Sequence, residues 1–229
     1  MTKKLLIIPA RIGSKRIKNK NIKKFRGKPI IEYSIETALN SKLFNEIHIS
    51  TDSLFIKKIT QKYLVNVDFL RPKKLSGDKI GLMDVFKFVV NEYKIQGKKF
   101  DEVWYLMPCA PLINSSDLVL ASNYFKRKKT SAMLAVTEYS SPIQRAFKID
   151  KNKKLTPYNK NKLKYRTQDL NKSYHDSGTF GMFKSNVFYK NDKISFLGYV
   201  IPRTKGIDID NIDDWKFAEK IFQLNLNKN

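Results

Sequence analysis

The run Lys3-Lys4-Leu5-Leu6-Ile7-Ile8-Pro9-Ala10 constrains this chain more than any other feature. Between Leu5 and Ile8 no polar residue is left for a solvent face, so a strand here must be covered on both sides. Cover on both faces calls for helices above and below a sheet, and the chain supplies them in alternation. Pro29 marks the start of a helix with Ile31, Ile35, Ala38 and Leu39 on one face. Residues 46–51 read as a strand. Ser53 is placed to cap the next helix, whose apolar positions include Phe55, Ile56, Ile59 and Tyr63. Residues 65–70 read as a short strand. A helix follows over 82–93 with Leu82, Val85, Phe86, Val89, Val90 and Tyr93 inward. A strand over 102–108, a capped helix opening at Ser115 and a strand over 131–139 continue the rhythm.

This order predicts an α/β fold: a mostly parallel, Rossmann-like sheet with helices on both faces. The rhythm breaks over 140–176, a polar, lysine-rich stretch read as an excursion that serves dimerisation or covers the site. It resumes with a strand over 196–202 and a last helix from Ile212. The 229 residues suit a single domain, 1–229, large enough to bury a core without staples. Cys109 is the lone cysteine and cannot form an internal disulfide, which points to a reducing compartment. No apolar run approaches the ~20 residues that span a bilayer. The basic and apolar opening imitates a signal peptide, but its core is short and Arg11 to Arg16 stand where cleavage would fall. A cytoplasmic protein without a membrane partner is expected.

The net charge of +24 would suit a polyanionic partner such as nucleic acid. Its lysines, however, are scattered over Lys57-Lys58, Lys73-Lys74, Lys98-Lys99, 126–129 and 151–154 rather than gathered in one stripe. No nucleic-acid-binding motif accompanies them, so no nucleic-acid partner is expected. One cluster is different. Ala10-Arg11-Ile12-Gly13-Ser14-Lys15-Arg16, continuing to Lys18, Lys20 and Asn21, follows the first strand directly and so lies at the carboxyl end of the sheet, where open α/β folds bind ligands. Gly13 permits close backbone approach or a positive φ. Ser14, the backbone amides and the cations could hold a triphosphate. Neither the Walker A pattern nor the dinucleotide-binding glycine fingerprint is present.

Asp208 and Asp210 are separated by one residue, so an extended backbone turns both to one face. Magnesium accepts one or two such carboxylates together with phosphate oxygens and waters. The competing reading is capping of the last helix by Asp210 or Asn211, with Asp213 and Asp214 in its first turn. Arg166 offers a planar fork to a carboxylate or phosphate. His175 lies beside Ser177-Gly178, while His48 reads as structural within its strand. No nucleophilic triad is recognisable, and one cysteine with two histidines makes no zinc site.

Taken in order, these elements resemble the CMP-sugar synthetases, the cytidylyltransferases of acylneuraminic and related nonulosonic acids. The resemblance is carried by Ala10, Arg11, Gly13, Ser14, Lys15, Lys20 and Asn21, by Ser50-Thr51-Asp52, by Phe69-Leu70-Arg71-Pro72 and by Asp208 with Asp210, and it covers nearly the whole chain. Residues 141–146, 166–170 and 174–178 resemble the branch of that family that acts on pseudaminic acid. Ile12, Met107 and 179–182 depart from common patterns of its relatives. The resemblance implies transfer of CMP from CTP to an acidic nine-carbon sugar, pseudaminic acid first. N-acetylneuraminate, legionaminate or 3-deoxy-manno-octulosonate are the alternatives. It implies a nucleotide site of Ala10, Arg11, Gly13, Ser14, Lys15 and Asn21, with Arg71 near the base and Arg11, Lys15 and Asp210 catalytic. It implies Mg²⁺ on Asp208 and Asp210. It also implies a sugar site of Gln144, Arg145, Arg166 and His175, partly formed across a homodimer.

Overall fold

The computed structural model describes residues 2–65, 67–189 and 194–226. Strand β1 (Lys4–Pro9) is buried throughout. Beyond the loop and a 3-10 turn at Lys20–Ile22, β2 (Lys24–Phe25) and β3 (Lys28–Pro29) pair in a small antiparallel ladder. Helix α1 (Ile30–Ser41) follows, with Pro29 immediately before it. Next come β4 (Glu46–Ser50), α2 (Leu54–Gln61), α3 (Leu82–Ile95), β5 (Glu102–Leu106), α4 (Ser115–Lys126) and β6 (Ala132–Glu138). A small hairpin, β7 (Phe147–Ile149) with β8 (Leu155–Pro157), precedes the long β9 (Tyr174–Lys184). Strand β10 (Phe196–Val200) and α5 (Ile212–Leu226) complete the order.

Local chemistry explains the boundaries. The Ser53 side chain accepts a hydrogen bond from the Ile56 amide, and Asn114 with Asp117 forms a reciprocal capping box at α4. The main sheet runs β10-β6-β9-β5-β1-β4. β1 is parallel to β4 and β5, and β10 to β6, while β9 runs antiparallel between β5 and β6. β1 alternates between two cores: Leu6 and Ile8 join α1, α2 and α4 on one face, and Leu5 and Ile7 join α3 on the other. A third apolar cluster around Phe25, Ile30, Ile209 and Trp215 fastens α5 and its preceding loop against the β2–β3 ladder.

Three expectations are corrected. Residues 65 and 67–70 form no strand, although Val65 and Val67 are buried. In a strand residues 65, 67 and 69 would share one face. Instead Val65 and Val67 enter the α1-side core and Phe69 the α3-side core, so the chain rolls over the β4 edge. The excursion ends earlier than 176, because Tyr174 to Asp176 already belong to β9 and pair with 136–138 of β6. Leu82 is exposed rather than inward, and Phe55, among the apolar positions of α2, is exposed as well. Because β9 is antiparallel, its amino end arrives where the parallel strands have their carboxyl ends. The Met107 amide donates to the Thr179 carbonyl there, at 2.7 Å.

Candidate active site

At that end of the sheet lies a cleft of about 600 Å³, bordered by the loop after β1, the 71–82 segment, residues 107–109, Gly178 and the Asp208–Asp210 loop. The loop after β1 is pinned from below. The amide of buried Ala10 donates to the Ser50 carbonyl at 2.9 Å, and the Ile12 amide to the Asp52 carboxylate at 3.2 Å. Buried Asn21 donates to the Arg11 carbonyl at 2.7 Å and accepts the Cys109 thiol at 3.2 Å. Burial pushes that thiol up to about 12, so it stays protonated at neutral pH. Ile17 is buried beneath. So fastened, the loop turns Arg11, Ser14, Lys15, Arg16 and Lys20 toward the cleft. Gly13 does not have the positive φ foreseen as one option, and a Cβ there would meet no protein atom within 4 Å. Any need for glycine at this position therefore comes from what approaches the loop.

The cations fall into two groups. Asp78, which sequence reasoning passed over, receives Arg11 at 2.6 Å and Lys15 at 2.5 Å, and these two donors hold its carboxyl below the ordinary range. Arg71 is buried, donating to the Ser50 hydroxyl at 3.1 Å and the Ser50 carbonyl at 2.5 Å. Burial, reinforced by nearby Arg11, lowers Arg71 to about 10, which still leaves it charged at neutral pH.

On the opposite wall Ile209 is buried while Asp208 and Asp210 both border the cleft, the shared face foreseen from their spacing. Loss of water and the neighbouring Asp210 charge raise the Asp208 carboxyl. Asp210 pairs with Arg16 at 2.8 Å and lies 3.9 Å from Lys20, whose ammonium also donates to the Ile209 carbonyl at 2.6 Å. Capping of α5 falls to other residues: the Asp214 carboxylate accepts the Asp210 and Asn211 amides, and the Asn211 side chain accepts those of Asp213 and Asp214. Asp210 is thereby free of that task. Gly178, at φ +63°, lies so close to Asp208 that a Cβ would stand 2.8 Å from the Asp208 Cγ. Two like-charged carboxylates on one face of the cleft suit a divalent cation that takes further oxygens from phosphate and solvent. Among the described residues no group of three or more His, Cys, Asp or Glu side chains is placed to hold a metal ion.

The cleft brings together Arg11, Ser14, Lys15, Asn21, Arg71, Asp208 and Asp210. It does not include Gln144, Arg145, Arg166 or His175. Arg166 forks onto Asp169 at 2.9 Å, and Gln144 donates to the Asn171 carbonyl at 2.9 Å. His175 bonds the Asp176 carbonyl at 2.8 Å and lies against Tyr139. His48 is buried beside Tyr93 and Phe69, as its structural reading required. Among the described residues no helix is long and apolar enough to cross a membrane.

A family model described as cytidylyltransferase matches residues 5–225. A pseudaminic acid cytidylyltransferase of Campylobacter jejuni is 39% identical over 97% of this chain and 97% of its own length. A CMP-N,N'-diacetyllegionaminic acid synthase of the same species is 32% identical over 98% of this chain and 97% of its own length. Among solved structures, CMP:2-keto-3-deoxy-manno-octonic acid synthetase complexed with CTP superposes with a TM-score of 0.71, covering 98% of this chain and 100% of that one. Its identity of 15% makes it a match of fold.

Proposed function

The chain belongs to the cytidylyltransferase family, and from that premise we propose that it transfers CMP from CTP to a nine-carbon nonulosonic acid, pseudaminic acid first, releasing pyrophosphate. The observation that carries this reading is the convergence of the Arg11–Lys15 cations and the Asp208–Asp210 pair on one cleft. Pseudaminic acid is preferred over legionaminic acid by the greater identity to the relative named for it, 39% against 32%.

The anomeric hydroxyl oxygen of the sugar attacks the α-phosphorus of CTP. One P–O bond forms as the bond to the pyrophosphate oxygen breaks, and the hydroxyl proton is given up to solvent. Arg11 and Lys15 hold the departing phosphates, where they are worth most because charge accumulates there as that bond breaks. Ser14 lines the cleft on the path of the phosphates, while Ala10, buried and bonded through its amide to the Ser50 carbonyl, and Gly13 would shape the loop that carries it. Asn21 keeps the loop in shape through the Arg11 carbonyl. Buried Arg71 borders the cytosine end. Asp208 and Asp210 would hold Mg²⁺, which when bound supplies charge neutralisation to the phosphates.

The sugar-recognition residues proposed here, Gln144, Arg145, Arg166 and His175, sit on the excursion and the start of β9, outside the cleft. They fit a homodimer in which one protomer's excursion serves its partner. Phe147, Ile149, Leu155 and Tyr158 on the β7–β8 segment are exposed, which an isolated chain has no reason to keep. A reducing compartment such as the cytoplasm accords with the single, protonated Cys109.

Pyrophosphate release measured with CTP and Mg²⁺ over a panel of nonulosonic acids tests the reading, with ATP, GTP and UTP as controls. Release with CTP and pseudaminate supports both levels of it. Release with another acid keeps the chemistry and moves the substrate. No release from folded protein with any acid of the panel refutes the proposal.

A further inference from the structure

Asp78 borders the cleft, and nothing in the reaction as described gives it a task. Its two oxygens are divided between two cations: Oδ1 takes the Arg11 guanidinium at 2.6 Å, and Oδ2 takes the Lys15 ammonium at 2.5 Å. Arg11 also reaches the Ser76 carbonyl at 3.4 Å. The Asp78 segment thus bridges from the Arg71 side of the cleft to the loop after β1. These contacts are not sealed, since the Lys15 side chain is 83% exposed and that of Asp78 40%. An exposed pair of this kind is weak and readily exchanged. A phosphate oxygen uses the same N–H donors as a carboxylate and uses them at the same distances. Asp78 therefore occupies, by chemistry and by geometry, the position of a phosphate on Arg11 and Lys15.

We propose that Asp78 is an internal competitor for the polyphosphate tail, a specificity-determining carboxylate that CTP displaces on entry and that returns to Arg11 and Lys15 as pyrophosphate leaves. This rests on the reading of the cleft as the CTP site. The exchange balances in charge: Asp78 gives up two charge-assisted bonds and returns to water, while the tail takes up the same two cations. A triphosphate or pyrophosphate, with several oxygens, can bridge both cations at once and so replace both bonds. CMP carries only the α-phosphate and leaves the Asp78 contacts standing. The competitor thereby acts on ligands that own a β-phosphate and spares those that do not.

Calorimetric titration of purified protein with pyrophosphate, CTP and CMP, each without metal, tests this on wild type, Asp78→Asn and Asp78→Glu. Removing one negative charge next to the phosphate position should tighten pyrophosphate and CTP by about 5- to 20-fold in low salt, less as salt screens the site. CMP affinity should stay within about twofold, and Asp78→Glu, which keeps the charge, should stay near wild type. In turnover, Asp78→Asn should lower KM for CTP and lower kcat with it, because the leaving group now departs slowly. A brace for the loop would not produce that split. Unchanged or weaker pyrophosphate binding in a folded Asp78→Asn protein overturns the proposal, as does equal tightening of CMP. Asp78→Ser repeats the test should the amide fail to fold. If wild type turns over CTP while the variant shows no tightening, only the role of Asp78 falls. If wild type binds neither CTP nor pyrophosphate, the CTP reading of the cleft falls with it.

Discussion

Replacing Gly178 with alanine should damage metal-dependent turnover far more than it damages the fold. The added Cβ would stand 2.8 Å from Cγ of Asp208, 3.0 Å from its Oδ2 and 3.1 Å from its Cβ. Carbon atoms settle at about 3.5–4.0 Å, so Asp208 has to retreat by roughly 0.7 to 1.2 Å. Gly178 also lies at φ +63°, where an L side chain costs about 1–2 kcal/mol. At about 2–4 °C per kcal/mol for a chain of this size, the melting midpoint should fall by roughly 2–8 °C. The carboxylate suffers more. A misplacement near 1 Å can cost about 10²-fold in rate, so kcat/KM should fall by roughly 10- to 100-fold. That loss should appear mainly as a raised Mg²⁺ requirement, read from pyrophosphate release over a magnesium series, while CTP binding without metal stays near wild type. A variant that melts earlier yet keeps the wild-type magnesium curve and kcat would refute the placing of Asp208 as a ligand held by Gly178.

Asp210→Ala should leave the fold intact and lower magnesium-dependent pyrophosphate release by about 10²-fold or more, the scale of losing one preorganised charge at a transition state. Wild-type rates would sink the metal assignment. Arg166→Ala should leave CTP affinity unchanged and raise KM for the sugar acid, so an unaltered sugar KM removes Arg166 from the sugar site. His48 is buried and its pKa is pushed down to about 3 by loss of water. It is neutral in the fold and takes up a proton on unfolding below about 6.5, so stability is lost as pH falls from there toward 3. Between pH 7.5 and 5 this one group should remove about 2 kcal/mol in urea unfolding, a loss that His48→Gln should not show.

The strands with no polar face could be read from the chain alone, because an apolar run such as 5–8 admits little else. The loop that follows could be read too, since its cations cluster where the sheet must end. The Asp208–Asp210 pair was ambiguous between metal binding and capping. The capping half of that reading falls to Asn211, whose side chain accepts the Asp213 and Asp214 amides, so the helix does not need the Asp210 carboxylate; the metal role of the pair stays a proposal. Strand β9 escaped because its first residues, Tyr174-His175-Asp176-Ser177-Gly178, look like a polar loop. Of these, Tyr174 to Asp176 pair with Glu138 to Val136 of β6, beyond a register shift that separates them from the buried half of the strand. Residues 65–70 misled in the opposite sense: the alternation is strand-like, yet Val65 and Val67 enter one core and Phe69 the other. Asp78 gave no local signal, because its meaning lies in two cations more than sixty residues away.

If the cleft takes CTP as proposed, the cations of the loop after β1 bear on how a chain of net charge +24 would keep an anion site selective. Attraction alone would make every lysine face a weak phosphate trap. In the cleft the cations are already spoken for, Arg11 and Lys15 by Asp78, Arg16 and Lys20 by Asp210. The members of each pair stand four residues apart in the sequence, and the loop fans them to opposite walls. A lone phosphate gains little by breaking such contacts, since it replaces one anion with another. A ligand that satisfies both walls together, through a polyphosphate tail at one end and a metal-neutralised α-phosphate at the other, gains at two places for a single loss of its own freedom. On the proposed reading, selectivity would reside in the pre-paired carboxylates, while the surplus lysines elsewhere on the surface would set the general field around the protein.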